Sequence, residues 1–260
     1  MKLTVHEKSD EKLIFTLKDV TSAYANTLRR LMVGEVPTMA IEDVTFDKND
    51  SILYDEILAH RLGLVVFKTD LESYNMTSVC QCEGAGCAQC QLKVTLSAEG
   101  PKTVYAKDLK SADPNVKPIY PNTVLVRLLE GQKLEFEAIA TLGTGKEHSK
   151  WNPGLVWYYH DSTIKVDNKH KDFQKFKDRY PPQIFNKNGE IEKGRISTPQ
   201  LIDAVMDVNP EIVDVSLDRS AFVFHVESFG AMPAQEIVTR ALDVFDSQVK
   251  EFEGLVKKQL

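Results

Sequence analysis

All four cysteines of the chain fall within eleven residues, CQCEGAGCAQC at positions 80–90. Cys80, Cys82, Cys87 and Cys90 read as C-x-C-x4-C-x2-C, and the C-x2-C half is a tight turn that aims two sulfurs at one ion. Gly84 and Gly86 supply the loop freedom needed to bring the second pair onto the first. The neighbours are Gln, Glu and Gly, which bury little, so four small core residues is the poorer reading. Four thiolates leave no open position for water, and the pattern points to a structural zinc rather than a catalytic one. An iron–sulfur cluster and redox thiols are the alternatives, and a disulfide framework fits a reducing interior poorly.

A loop of that kind needs a body to hold it. The chain has 260 residues, 42% of them hydrophobic, enough to bury one large core or two or three small ones. Charged residues make up 27% and the net charge is -6, which argues against nucleic-acid binding driven by overall charge. The opening MKLTVHEKSDEK lacks the apolar run of a secretory signal, and LGLVVF (62–67) and GLVWYY (154–159) are far too short to cross a bilayer. The expectation is a soluble cytoplasmic protein with no membrane contact. A zinc enzyme would need an open coordination position and a general base, and no His or Glu cluster stands at ligand spacing. An electron carrier would need a second cysteine set, and a free-standing zinc-ribbon DNA binder would be basic.

Residues 2–18 read as a β-hairpin turning around Glu7–Glu11. VTSAYANTLRRLMVGEVP (20–37) reads as a helix: Thr21 or Ser22 can cap it, Val20, Tyr24, Leu28 and Leu31 form an apolar stripe, and Pro37 ends it. Asn26, Arg29 and Arg30 lie off that stripe, and the arginines are either solvated or contact a partner. A strand over 39–47 precedes a second helix over 51–63 that stops at Gly63. His60 in that helix has no second ligand at metal spacing and is read as packing or hydrogen bonding. LVVFKT, KVTLSAE, NTVLVRLL, KLEFEAIATLG and LVWYYHDSTIKV read as strands between 64 and about 167, with the cysteine loop capping a hairpin between two of them.

Residues 168–210 are polar and rich in Pro and Asn. From Lys165 to Arg195 nine Lys and Arg meet five Asp and Glu, and because the acids are interspersed a solvated insert is favoured over a nucleic-acid patch. AFVFHVESFG (221–230) reads as a strand. After Pro233, Val238, Leu242, Phe245, Val249, Phe252 and Val256 step by 4, 3, 4, 3 and 4. About 27 residues at about 1.5 Å each make a helix of roughly 40 Å, longer than a small sheet can cover. The stripe is expected to pair with another chain.

Three stretches, NTLRRLMVGEVPTMAIEDVTF, NDSILYDEILAHRLGLV and FVFHVESFGAMPAQEIVTRALDVF, resemble the α-like subunits of RNA polymerase, of the archaeal D type and of the third-largest-subunit type of eukaryotic polymerase II. GTGKEHSKWNPGLVWYYH (143–160) is similar to the Gly-x-Gly-x-x-His-x-Lys-Trp stretch of that group, and the resemblance covers nearly the whole chain. It implies an α+β fold with a dimerisation domain split between 1–45 and 212–260. Between them would lie an inserted mainly β domain over 46–167, with the zinc loop at 80–90, and a small ferredoxin-like remnant over 168–211. Cys80, Cys82, Cys87 and Cys90 resemble the zinc loop of the eukaryotic type.

The resemblance also implies a role. It is that of a non-catalytic assembly subunit, which heterodimerises with a small α-like subunit (archaeal L), is joined by two small zinc subunits (archaeal N and P), docks on the second-largest subunit and meets DNA only through the complex. On this reading Leu28, Leu31, Val238, Leu242, Phe245, Val249, Phe252 and Val256 line the dimer interface, and Arg29 and Arg30 meet the large subunit. Many archaeal members hold an iron–sulfur cluster in the ferredoxin-like insert. Here Tyr180 stands where a cysteine would precede the proline, ISTPQLIDAVMDVNP carries none, and no iron–sulfur cluster is expected.

Overall fold

The N-terminal hairpin is closed by its turn. The Ser9 amide donates to the Lys12 carbonyl at 2.8 Å, joining β1 (Lys2–Lys8) to β2 (Lys12–Lys18). The computed structural model describes residues 1–259. Helix α1 (Ser22–Gly34) starts on the Thr21 hydroxyl, which accepts from the Tyr24 amide at 3.2 Å, and Pro37 lies just beyond its end. There follow β3 (Thr38–Asn49), α2 (Asp55–Gly63), β4 (Gln91–Glu99), β5 (Lys102–Tyr105), β6 (Lys110–Ser111), β7 (Val124–Leu128), β8 (Lys133–Gly143) and β9 (Gly154–Val166). The chain ends through α3 (Phe173–Phe176), α4 (Pro199–Met206), β10 (Val213–Ser228) and α5 (Ala234–Gln259).

Among the described residues three sheets have the strand orders β1-β2-β10-β9, β3-β8-β4-β6 and β5-β7. Where the register is resolved the pairing is antiparallel: β3 runs against β8 from Thr38 opposite Gly143 to Asn49 opposite Leu134, and β4 against β8 from Gln91 opposite Thr141 to Glu99 opposite Lys133. KLEFEAIATLG makes β8 a central strand because Leu134, Phe136, Ala138, Ala140 and Leu142 alternate and all are buried. The fold is a mixed α and β one built on antiparallel sheets.

Contacts divide the chain into two compact units. One comprises Met1–His6, Phe15–Ala25 and Tyr158–Phe224. In it Phe15 stacks on Phe224 at 5.0 Å, and a second core gathers Ile164, Phe173, Tyr180, Ile184, Ile191, Ile196, Ile202, Val205 and Ile212. Helix α4 is capped there by Thr198, which accepts from the Leu201 amide at 3.3 Å, with Pro199 at its first position. The other unit comprises Glu7–Ile14, Asn26–Trp157 and the chain from His225 on. Its core packs the buried face of β8 and β4 with Leu58 and Leu62 of α2 and with Phe67, Leu125 and Leu128.

Four expectations change. LVVFKT forms no strand; Phe67 makes a single bridge to Pro118, so the cysteine loop caps no hairpin and instead leads straight into β4. The second helix begins at Asp55 rather than at 51, because Asn49 and Ser51 side chains bond the intervening backbone into a turn. β10 begins at Val213, well before 221. His60 is exposed in the last turn of α2 and does not pack in the core.

Candidate metal centre and assembly surfaces

Cys80, Cys82, Cys87 and Cys90 converge, with all four Sγ atoms within 4.8 Å of one another. The Sγ separations are 3.6 Å for Cys80–Cys87, 3.5 Å for Cys82–Cys90 and 3.9 Å for Cys87–Cys90. A disulfide would need about 2.05 Å. Tetrahedral zinc with bonds of about 2.3 Å gives sulfur–sulfur edges of about 3.8 Å, so the thiols already stand at the spacing zinc requires. Two turns create it: the Cys90 amide donates to the Cys87 carbonyl, and the Glu83 amide to that of Cys80, each at 3.0 Å. Left-handed backbone at Glu83 (φ 52), Gly84 (φ 86) and Gly86 (φ 85) reverses the chain between the pairs. A Cβ on Gly86 would also stand 2.4 Å from the Gln91 side chain. The Cys87 amide points at the Cys90 sulfur at 3.4 Å, the kind of donor that steadies a thiolate. Hydrogen bonds from Cys80 and Cys90 hold the Cys82 thiol down at about 6, while burial pushes the Cys90 thiol up to about 12.

The Gly-x-Gly-x-x-His-x-Lys-Trp stretch is a clasp. A Cβ on Gly143 would lie 2.4 Å from the Trp151 indole, and one on Gly145 would lie 2.2 Å from the Val33 carbonyl. Trp151 donates from its ring to the Thr141 carbonyl at 3.2 Å and accepts at its own carbonyl from the buried Thr38 hydroxyl at 2.7 Å. Lys150 donates to the Ile41 carbonyl at 3.0 Å, pairs with Glu42 and lies 4.3 Å over the indole. The Lys146 amide donates to the Gly34 carbonyl at 3.0 Å, tying the same loop to the end of α1. These groups fasten α1, β3 and β8 together; the sequence shows the motif but not its partners.

That loop helps to wall a cavity of about 430 Å³ with Arg29, Arg30, Glu35 and Gln248. Arg29 is held by two hydrogen bonds to the Asn26 side chain, at 3.2 and 3.1 Å, and Lys146 pairs with Glu35 at 3.5 Å. Three cations and one carboxylate make the cavity basic.

Helix α5 runs 26 residues. It buries Ala234, Ile237 and Ala241, which the periodicity of large residues had missed. Of the expected interface residues, Leu242, Val249, Phe252 and Val256 are exposed, Val238 and Phe245 are half-buried, and Leu28 and Leu31 lie in the chain's own core. Arg240 clamps the helix with charge-assisted bonds to Glu72 at 2.7 Å and Glu236 at 3.3 Å, which raise its pKa.

Among the described residues one other group of metal-ligating side chains converges, His170, Asp172 and Glu211. Both nitrogens of His170 are engaged there: Nδ1 accepts from the Asp172 amide at 3.2 Å and Nε2 meets Glu211 at 3.2 Å. No helix among the described residues is long and apolar enough to cross a membrane.

The site thus comprises a thiol loop closed on itself, a basic cavity at the end of α1 and a long helix whose apolar row is largely exposed. Residues 41–170 match the family model described as the RNA polymerase Rpb3/RpoA insert domain. Over its full length the chain is 36% identical to DNA-directed RNA polymerase subunit Rpo3 of Methanosphaera stadtmanae, covering 100% of both chains. It is 38% identical to the Rpo3 subunit of Methanosarcina acetivorans over 96% of each chain, and 33% identical to that of Pyrococcus furiosus over 99% of this chain and 98% of the other. The chain belongs to the Rpo3 family of α-like RNA polymerase subunits, the archaeal subunit also called D.

Proposed function

We propose that this chain is a cytoplasmic, non-catalytic assembly subunit of a DNA-dependent RNA polymerase. Its segments 1–45 and 212–260 pair with a small α-like subunit, the archaeal L type. The resulting platform receives two small zinc subunits of the N and P type and docks through Arg29 and Arg30 on the second-largest subunit. DNA is met only through the assembled enzyme. Residues 46–167 serve as the inserted domain, and 168–211 as a module held by its own apolar core instead of an iron–sulfur cluster. The match of residues 41–170 to the insert-domain model supports the first of these limits.

The cysteine loop holds a structural zinc on Cys80, Cys82, Cys87 and Cys90, a reading supported by the sulfur spacing. Bound there, zinc supplies a crosslink between the two halves of the loop and no reactive position.

The observation that carries the reading is α5. Its first turns are anchored by Ile237 and Ala241, yet beyond them the apolar row continues with Phe252 67% exposed. Burying one Phe or Leu contributes roughly 1.5–3 kcal/mol, so a row of this length is a standing drive toward a partner helix. The test is a pull-down of the small α-like subunit by Phe245→Asp/Phe252→Asp. The double variant is expected to lose that partner and with it entry into the polymerase. Recovery of the partner at normal stoichiometry would sink the assignment.

A further inference from the structure

We propose that the turn Asn49–Tyr54, with the first turn of α2, is a docking knob for a protein partner whose surface is basic and carries an apolar pocket. The inference rests on the polymerase reading and adds a contact that reading does not assign. Ile52 and Tyr54 are among the most exposed large apolar side chains, at 83% and 78% of their full surface, and Ile57 joins them half-exposed on α2.

The backbone that presents them is fixed. The Asn49 side chain donates to the Leu53 carbonyl at 2.9 Å and to the Asp55 carboxylate at 2.7 Å. It accepts from the Ser51 hydroxyl at 2.7 Å, which in turn accepts from the Leu53 amide at 3.3 Å. The Asp50 amide donates to the Lys133 carbonyl at 2.9 Å, and Leu53 turns inward against the core. This network holds Ile52 and Tyr54 pointing out without burying either. Solvation does not require such order, whereas a contact surface gains from it, because the ordering cost of binding falls before the partner arrives.

Charge selects the occupant. Residues 42–56 carry Glu42, Asp43, Asp47, Asp50, Asp55 and Glu56 against one lysine, Lys48. Lys48 and the Lys133 amide both engage Asp50 and Lys150 engages Glu42, while Asp55 and Glu56 directly follow Tyr54 and, like Asp43 and Asp47, are exposed. An acidic rim repels nucleic acid and anionic lipid and steers a basic protein surface. An apolar anchor flanked by like charges also suits an interface, with the aromatic giving affinity and the acids giving orientation. A second copy of this chain, itself of net charge -6, is the poorer complement.

Hydroxyl-radical footprinting of the isolated chain and of the assembled polymerase reads the two side chains directly. Oxidation of Ile52 and Tyr54 should slow at least about fivefold in the assembled enzyme, and a photo-cross-linker at position 52 should join a protein subunit. Ile52→Asp/Tyr54→Ala should keep the melting temperature of the free chain and its small α-like partner, yet weaken uptake of the cross-linked subunit at least about tenfold. Asp55→Lys/Glu56→Lys should weaken it in the same direction, and added salt should do so for the unaltered chain. Unchanged oxidation in a polymerase that contains the chain would overturn the knob alone. A cross-link to nucleic acid, or a self-dimer abolished by the double variant, would overturn the assignment of a distinct protein partner. A chain never recovered in polymerase would overturn the assembly function and the knob together.

Discussion

Sulfur atoms 3.5–3.9 Å apart are too far for a bond and too close for chance, and that spacing is the residue-scale signature of this protein. It was legible in the sequence because all four cysteines lie in one short loop, where C-x-C and C-x2-C already limit how the turns close. The Gly-x-Gly pair was visible as well, but its reason was not, since the atoms that forbid a Cβ belong to Val33 and Trp151. Tyr180 shows the reverse case. A missing cysteine was legible, but not that the phenol would be buried among isoleucines with its hydroxyl donating to the Asn209 carbonyl at 3.3 Å. At this scale the metal is the testable matter. The purified protein should carry about one zinc per chain and no visible absorption band. Cys90→Ser, at the fully buried cysteine, should abolish zinc binding and speed amide exchange across 80–91 while leaving β8 protected. Iron in the metal analysis, or Cys80–Cys90 recovered as paired disulfides, would contradict it.

Elements follow from pattern only where the pattern is long. The strand β8 and helix α5 were both legible because eleven and twenty-six residues keep one period. LVVFKT misled because four apolar residues fit a strand or a buried crossing equally well, and the segment opposite, Lys117–Ile119, pairs with it only through the single bridge at Pro118. Helix α5 also hid which row it buries. The heptad positions hold the large residues, while the intramolecular contact uses Ala234, Ile237 and Ala241, two of them too small to weigh in any count of apolar bulk. The two rows should separate by measurement. In the isolated chain Ile237→Ala should cost about 2–4 kcal/mol by denaturant unfolding, since it opens a cavity in a packed site. Phe252→Ala should change the same quantity by less than about 0.5 kcal/mol, because its ring meets mostly solvent. Equal losses at both positions would mean that the outer row already belongs to the chain's own core.

The whole molecule is the scale at which a single sequence runs out, because assembly surfaces are defined by chains it does not contain. Arg29 and Arg30 were read from the sequence as off-stripe residues that meet the large subunit; Lys146 from the clasp and Gln248 from α5 are walls of the same cavity. Arg29 is already spent on Asn26, whereas Arg30 is exposed on the cavity wall. A large-subunit carboxylate entering there would meet Arg30 and displace Glu35 from Lys146, so the two cations should act together. Arg30→Ala/Lys146→Ala should leave the heterodimer with the small α-like subunit intact, since neither side chain lies on the apolar row of α5. Docking on the second-largest subunit should weaken by about 2–5 kcal/mol if the pair meets a buried carboxylate, and the residual binding should lose much of its salt dependence. Arg29→Ala alone should matter less, its guanidinium being committed within α1. Two-step binding measured across a salt series distinguishes the cases. Loss of the heterodimer in the double variant would place the cavity in the dimer interface, and unaltered docking at every salt concentration would remove it from assembly altogether.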